Sequence, residues 1–165
     1  MKKAVLAVVL ISLIAITSCK KSTTNNAGGT WSFKSVNYGA TTFATSYGQV
    51  TVSNPASAYA NSFATLCVNF YNGLPTTAYT NNTTYTGTYQ VVGGTTLDTS
   101  NQVYITLTLN GTSDTLYHTT GGNGKETVTV TLSNGNISIS GSGIELANTA
   151  NQADSSALNF NIVQP

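Results

Sequence analysis

The 165-residue chain contains no arginine. Bidentate clamping of phosphate or carboxylate is largely an arginine property, so recognition of that kind is excluded. Charge of either sign is scarce, at 7% of residues against about 25% in an average globular protein. Beyond residue 29 only Lys34 and Lys125 stand against five acids. That leaves no basic face to neutralise a nucleic-acid backbone, and no nucleic-acid partner is expected.

Histidine and cysteine are nearly absent as well: His118 is alone, and Cys19 and Cys67 are the only thiols. Zinc needs several such ligands at set spacing, so no metal and no cofactor are expected. Asp98-Thr99-Ser100-Asn101 offers oxygen ligands of the kind calcium takes, yet reads more simply as a turn. A Ser-His-acid triad would have to use His118, which stands just before the glycine-rich stretch Thr120 to Gly124. No Gly-x-Ser-x-Gly elbow occurs, and that stretch lacks both the phosphate-loop lysine and a following helix. His118 reads as a solvated residue at a strand end. Two carboxylates suffice for glycoside hydrolysis, but no spacing selects a pair among Asp98, Asp114, Glu126, Glu145 and Asp154. We expect a non-enzymatic protein with no catalytic residue.

What the chain does have begins at its first residues. Met1-Lys2-Lys3 is followed by an apolar run from Ala4 to Ile16, broken only by Ser12. The run is too short to span a bilayer and has the length of a signal-peptide apolar region. Ile16-Thr17-Ser18-Cys19 follows, and this tetrapeptide resembles the lipobox of bacterial lipoproteins. The resemblance covers about twenty residues. It implies cleavage after Ser18 and lipid attachment at Cys19, which would anchor the protein to a membrane without spanning it. Lys20 does not match the acidic residue that retains some Gram-negative lipoproteins in the inner membrane, so the resemblance implies the outer membrane, with either leaflet as the display face.

Residues 1–18 are thus read as a signal peptide, residues 19–29 as a flexible polar tether, and residues 30–165 as one β domain. Cys67, left without a disulfide partner once Cys19 is lipidated, lies opposite Leu66, Val68 and Phe70 and reads as a small semi-buried filler.

Period-two alternation runs from Trp31 to the end. Val103, Ile105, Leu107 and Leu109 share one face, as do Val128, Val130 and Leu132, and later Leu158, Phe160 and Ile162. Asn134-Gly135 between two such runs is a strong hairpin signal. A single short helix is expected near 55–61, with Asn54 as cap and Pro55 in the first turn. The pattern predicts an all-β domain, an antiparallel β-sandwich of about eight to ten short strands. The alternative is a barrel: Gly29-Thr30-Trp31 at the first strand resembles the Gly-x-Trp of lipocalin-like families, which implies a lipocalin-like β-barrel and a carrier of small apolar ligands.

Nine tyrosines in so uncharged a chain suggest apolar faces with polar tips. Tyr85 and Tyr89 lie on one strand face and are the candidate ligand-binding pair, placed to stack on sugar rings. The competing reading has them bracing neighbouring strands. Asp114-Thr115-Leu116 resembles a short O-glycosylation pattern of exported proteins in some Gram-negative lineages, which implies modification at Thr115. The leading expectation is an envelope lipoprotein whose domain binds a glycan or another ligand. A structural or assembly subunit of an outer-membrane complex is the second class.

Overall fold

A computed structural model describes residues 28–46, 48–54, 63–71, 74, 84–94, 97, 99, 101–110, 114–122 and 124–165. Among these residues the protein is all-β and contains no helix. The helix expected near 55–61 lies outside the described residues, as do the segments read as signal peptide and most of the tether.

The described residues form eleven strands, against the expected eight to ten or so: β1 (Gly28–Phe33), β2 (Val36–Gly39), β3 (Thr42–Ser46), β4 (Gln49–Asn54), β5 (Phe63–Phe70), β6 (Tyr85–Val91), β7 (Gln102–Asn110), β8 (Thr115–Thr119), β9 (Thr127–Ser133), β10 (Asn136–Asn148) and β11 (Ser155–Val163). Threonine, valine and isoleucine fill them because branched side chains suit a pleated, half-buried surface. Alternation sets the buried face. In β9, Val128, Val130 and Leu132 are buried while Thr127, Thr129 and Thr131 turn outward. Leu158, Phe160 and Ile162 do the same for β11. Each fully buried aliphatic side chain stabilises the fold by about 1.5–3 kcal/mol, and these residues join one core with those of the other strands.

The strands form one continuous sheet in the order β2-β1-β11-β10-β9-β6-β7-β5-β4-β3. The sheet folds over on itself as a sandwich. One half is β2-β1-β11-β10-β9 and the other is β3-β4-β5-β7. Two strands join them at the fold: β6 pairs with β9 and, in parallel over two residue pairs, with β7, while β8 pairs with both β10 and β7. These pairings close a ring of five strands, yet the outer strands run on past it, so the molecule is not a clean barrel. Phe33 meets Tyr117 edge-on at 4.9 Å, and Phe70 meets Tyr89 at 5.1 Å, tying the corner strands to the core.

At the ring closure β7 changes partner, from β8 at residues 106–109 to β6 at residues 102–103. The Ile105 N–H between them is taken up by Thr119 Oγ1 at 3.3 Å, and the same hydroxyl donates to the Val92 carbonyl at 2.6 Å. Thr119 is fully buried and does the work of a missing ladder bond. The edge strands β2 and β3 are joined by Ala40 and Thr41 alone. The three Cα–Cα steps from Gly39 to Thr42 reach at most about 11 Å, so the two edges of the sheet meet at that corner.

Two hairpins share a backbone form and differ in chemistry. Between β9 and β10, Asn134 and Gly135 have φ of 52° and 79°, the I′ geometry that suits strand twist and favours Asn-Gly. Between β1 and β2, Lys34 and Ser35 have φ of 50° and 62°, without a glycine. Strand β10 carries a bulge, with Ser142 and Gly143 set against the single residue Asn159 of β11 between the Gly141–Phe160 and Ile144–Leu158 pairs.

Candidate binding face

Tyr85 and Tyr89 do share one side of β6, and it is the inner side. Tyr89 is 5% exposed and sits edge-on to Phe70. The Tyr85 ring lies over Gly87, at the point a Cβ would occupy, and its hydroxyl reaches that of Tyr89 at 3.4 Å. Burial, reinforced by the Tyr85 hydroxyl, raises the Tyr89 phenol well above the ordinary tyrosine range. The pair braces the fold, and the Tyr89 ring is not presented to solvent as a stacking surface.

Thr115 is half-buried and shares the inward side of β8 with Tyr117 and Thr119, while Leu116 between them is exposed. Cys67 is half-buried on the outer face with Thr51 Oγ1 at 3.5 Å. His118 places Nδ1 3.0 Å from the Thr119 carbonyl and Nε2 3.2 Å from Gln152. Cys67 pairs with Thr106, and Thr106 with His118. That separates the thiol and the imidazole by two strand spacings, about 9–10 Å, too far for a shared ion or proton. Among the described residues no group of three metal-ligating side chains converges. Cys19 and Asp98 lie outside the described residues.

The main charged cluster surrounds the β1–β2 turn. Lys34 Nζ is paired with Asp154 Oδ1 and donates to Tyr117 Oη at 2.8 Å. Tyr117 Oη donates in turn to Asp154 Oδ2 at 2.9 Å, and Asn148 Nδ2 donates there at 3.1 Å. The ammonium also sits 4.7 Å from the Tyr117 ring centroid. The hydrogen bonds from Lys34, Asn148 and Tyr117 hold the Asp154 carboxyl down at about 2. For Lys34, desolvation opposes the charge, but the bonds with Asp154 and Tyr117 outweigh it and raise the ammonium above the ordinary lysine range. Every charged atom here is already partnered, so the cluster works as a latch between the first turn, β8 and the β10–β11 loop.

The other outstanding surface carries no charge. On the outer face of β6, β9, β10, β11 and β1, the residues Thr88, Thr129, Ser140, Asn161 and Thr30 stand opposite one another in unbroken register. Two shallow grooves flank the β10 bulge. One, of about 310 Å³, runs between Thr30, Ser32 and Asn37 on one side and Ser142, Asn159 and Asn161 on the other. The second, of about 490 Å³, is bounded by Thr127, Thr129, Ser140, Ser142 and Asn161. Both grooves are open to solvent, and no lining side chain of either is titratable. Asn159 Oδ1 accepts from Ser142 Oγ at 2.8 Å and from the Gly143 N–H at 2.9 Å, which fixes the bulge beside them.

The alternation of the sequence holds one sign of this site. Ile137 and Ile139 point inward at odd positions, and Ile144 and Leu146 at even ones. That change of phase across Gly141-Ser142-Gly143 marks an inserted residue. Ser142, Asn159 and Asn161 carry no other local signal, because hydroxyl and amide residues fill nearly every outward position of the chain. Comparison with known protein families, curated proteins and solved structures returns no match for this chain.

Proposed function

We propose that this is a lipid-anchored bacterial envelope protein whose β domain is a non-enzymatic binding module for neutral glycans. The observation that carries the reading is the uncharged hydroxyl- and amide-lined face with its two grooves. Such a surface supplies donors and acceptors to sugar hydroxyls and offers neither an acid nor a base for bond cleavage. The anchor rests on Ile16-Thr17-Ser18-Cys19, with Cys19 carrying the lipid and an outer-membrane address following from Lys20. Thr115 remains the proposed O-glycosylation position.

The membrane half of the proposal is tested by metabolic labelling with a palmitate analogue in a Gram-negative host. Wild type should label and sediment with the outer membrane, and C19S should lose both properties. Labelling of C19S at the wild-type level would remove the anchor. The binding half is tested by a thermal-shift screen of the mature chain with neutral glycans, charged glycans and apolar compounds. A ligand at 100 times its Kd adds about 2.7 kcal/mol, and the shift should appear with neutral glycans. A shift confined to apolar compounds would favour the carrier.

An assembly role is the second reading. It is favoured by the sheet edge at β2, where Val36 is 44% exposed and an added strand would find backbone partners. Cross-linking in intact envelopes tests it, a discrete partner through β2 being the supporting outcome.

A further inference from the structure

Resting on the glycan-binding reading, we propose that the ligand is an extended, uncharged polysaccharide lying across the strands, through the two adjoining grooves beside the Ser142 bulge, with Asn161 forming their shared wall. Three observations converge on this. The first is register. On a face where hydroxyl and amide residues also follow one another along each strand, Thr88, Thr129, Ser140, Asn161 and Thr30 are successive cross-strand partners. Their spacing is about 4.8 Å per strand, so the row spans about 19 Å. An extended chain of equatorially linked pyranoses repeats at a closely similar interval, and each sugar would then meet one hydroxyl or amide of the row.

The second observation is continuity. Gly141, Ser142, Phe160 and Asn161 line both grooves, so the two form one path over the bulge. The bulge is braced from β11. Gly143 takes a φ of 66°, and Asn159 Oδ1 holds both Ser142 and Gly143. A surface already held in its binding form loses little entropy on ligand capture. Using Oδ1 for the bulge turns the Asn159 amide into a pure donor, while the exposed Asn161 offers both donor and acceptor to a vicinal diol.

The third is what the grooves lack. They hold no charge, so an anionic or cationic sugar gains nothing there. They also hold no exposed ring, since Trp31 and Phe160 line them at 1% and 4% exposure. Affinity must then be assembled from hydrogen bonds, sugar by sugar. Each net bond is worth a factor of roughly three to ten in affinity, and the gain should stop when the ligand outgrows the row, at about four or five sugars.

The test uses the mature full-length protein and linear neutral oligosaccharides of the β-1,4-glucan, β-1,4-xylan and β-1,4-mannan series, from one sugar upward. Binding is read by calorimetry and by the fluorescence of Trp31, the only tryptophan in the chain and a lining residue of one groove. Affinity should rise roughly three- to tenfold with each added sugar and level off near five, with little change between about 50 and about 500 mM salt. N161A and T129V should each weaken the longer ligands roughly three- to tenfold, and T106V, on the outer face of the other half, should not. Thermal unfolding of each variant checks that the fold is kept.

If neutral glycans bind with an affinity that ignores chain length, or that N161A and T129V leave unchanged, the cross-strand site is wrong and the glycan-binding reading stands. If no neutral glycan of any length binds, both fall.

Discussion

At Lys34 and Ser35 the backbone turns through two consecutive left-handed residues, with φ of 50° and 62°. A side chain in that region costs roughly 1–2 kcal/mol, which the equivalent Asn134-Gly135 turn largely avoids. Lys34 offsets its cost through the latch with Asp154 and Tyr117. Among the described residues no hydrogen bond of the Ser35 side chain does the same. Ser35→Gly should therefore stabilise the domain by roughly 0.5–1 kcal/mol, measured by urea unfolding at neutral pH. Lys34→Gly relieves the same strain but releases the latch, and should gain less. Asp154 adds a pH dependence. Its carboxyl is held at about 2 in the fold against an ordinary 3.8, so its contribution is present above pH 4 and is lost as pH falls from about 4 to about 2. D154N should be less stable than wild type at neutral pH and should show a shallower loss across that acid window; parallel acid-unfolding curves would refute the latch. None of this was legible in the sequence, because Lys34 and Asp154 are 120 positions apart and pairing over such a distance leaves no local pattern. Tyr85 and Tyr89 show the complementary limit. Alternation correctly puts them on one face, but only packing against Phe70 decides that this face is the inner one.

Whole strands were far more legible than single contacts. The runs at Val103 to Leu107, Val128 to Leu132 and Leu158 to Ile162 are strands with the expected faces buried, and Asn134-Gly135 is the expected hairpin turn. The reason is physical: burial of one face selects a period of two, and a turn with positive φ selects glycine or asparagine. The corner strands β6 and β8 were not legible as corners, since each looks like any other short strand. What distinguishes β8 is Thr119, a hydroxyl at a position where a strand would ordinarily bury an aliphatic group. Removing that hydroxyl leaves the Ile105 N–H buried and unpaired, at a cost of about 1–3 kcal/mol, and takes a donor from the half-buried Val92 carbonyl. T119V should therefore lose roughly 2–3 kcal/mol despite its added apolar surface, and the Ile105 amide should exchange with solvent much faster. T119S keeps the hydroxyl and should recover most of the loss in both measurements. Equal stability of T119V and wild type would mean that the ring closure does not depend on this residue.

On the scale of the molecule, the first strand and the last are partners. β1 pairs with β11 from Gly28 opposite Val163 to Ser32 opposite Asn159, and β11 separates β1 from β10. The β1–β2 hairpin that carries one end of the polar row is therefore held in the sheet by the final nine-residue strand. Both halves of the sandwich feed one core, and β6 and β8 bind each half to the other. No subset of strands has a core of its own, so there is no smaller unit to fold first. A domain whose ends must meet before either is stable folds slowly and all at once, because loop closure must precede the contacts that reward it. Thermal unfolding followed by far-UV circular dichroism should coincide with that followed by Trp31 fluorescence, since Trp31 on β1 loses its surroundings only when the shared core opens. Removing residues 155–165 should abolish the transition rather than lower it by a few degrees. It would expose Trp31, Ile139 and Ile144 together and leave β1 without its inner neighbour. Two separated transitions, or a truncated chain that still melts cooperatively, would mean that the half containing β3, β4, β5 and β7 stands alone, and the binding face would then rest on a subdomain able to open by itself.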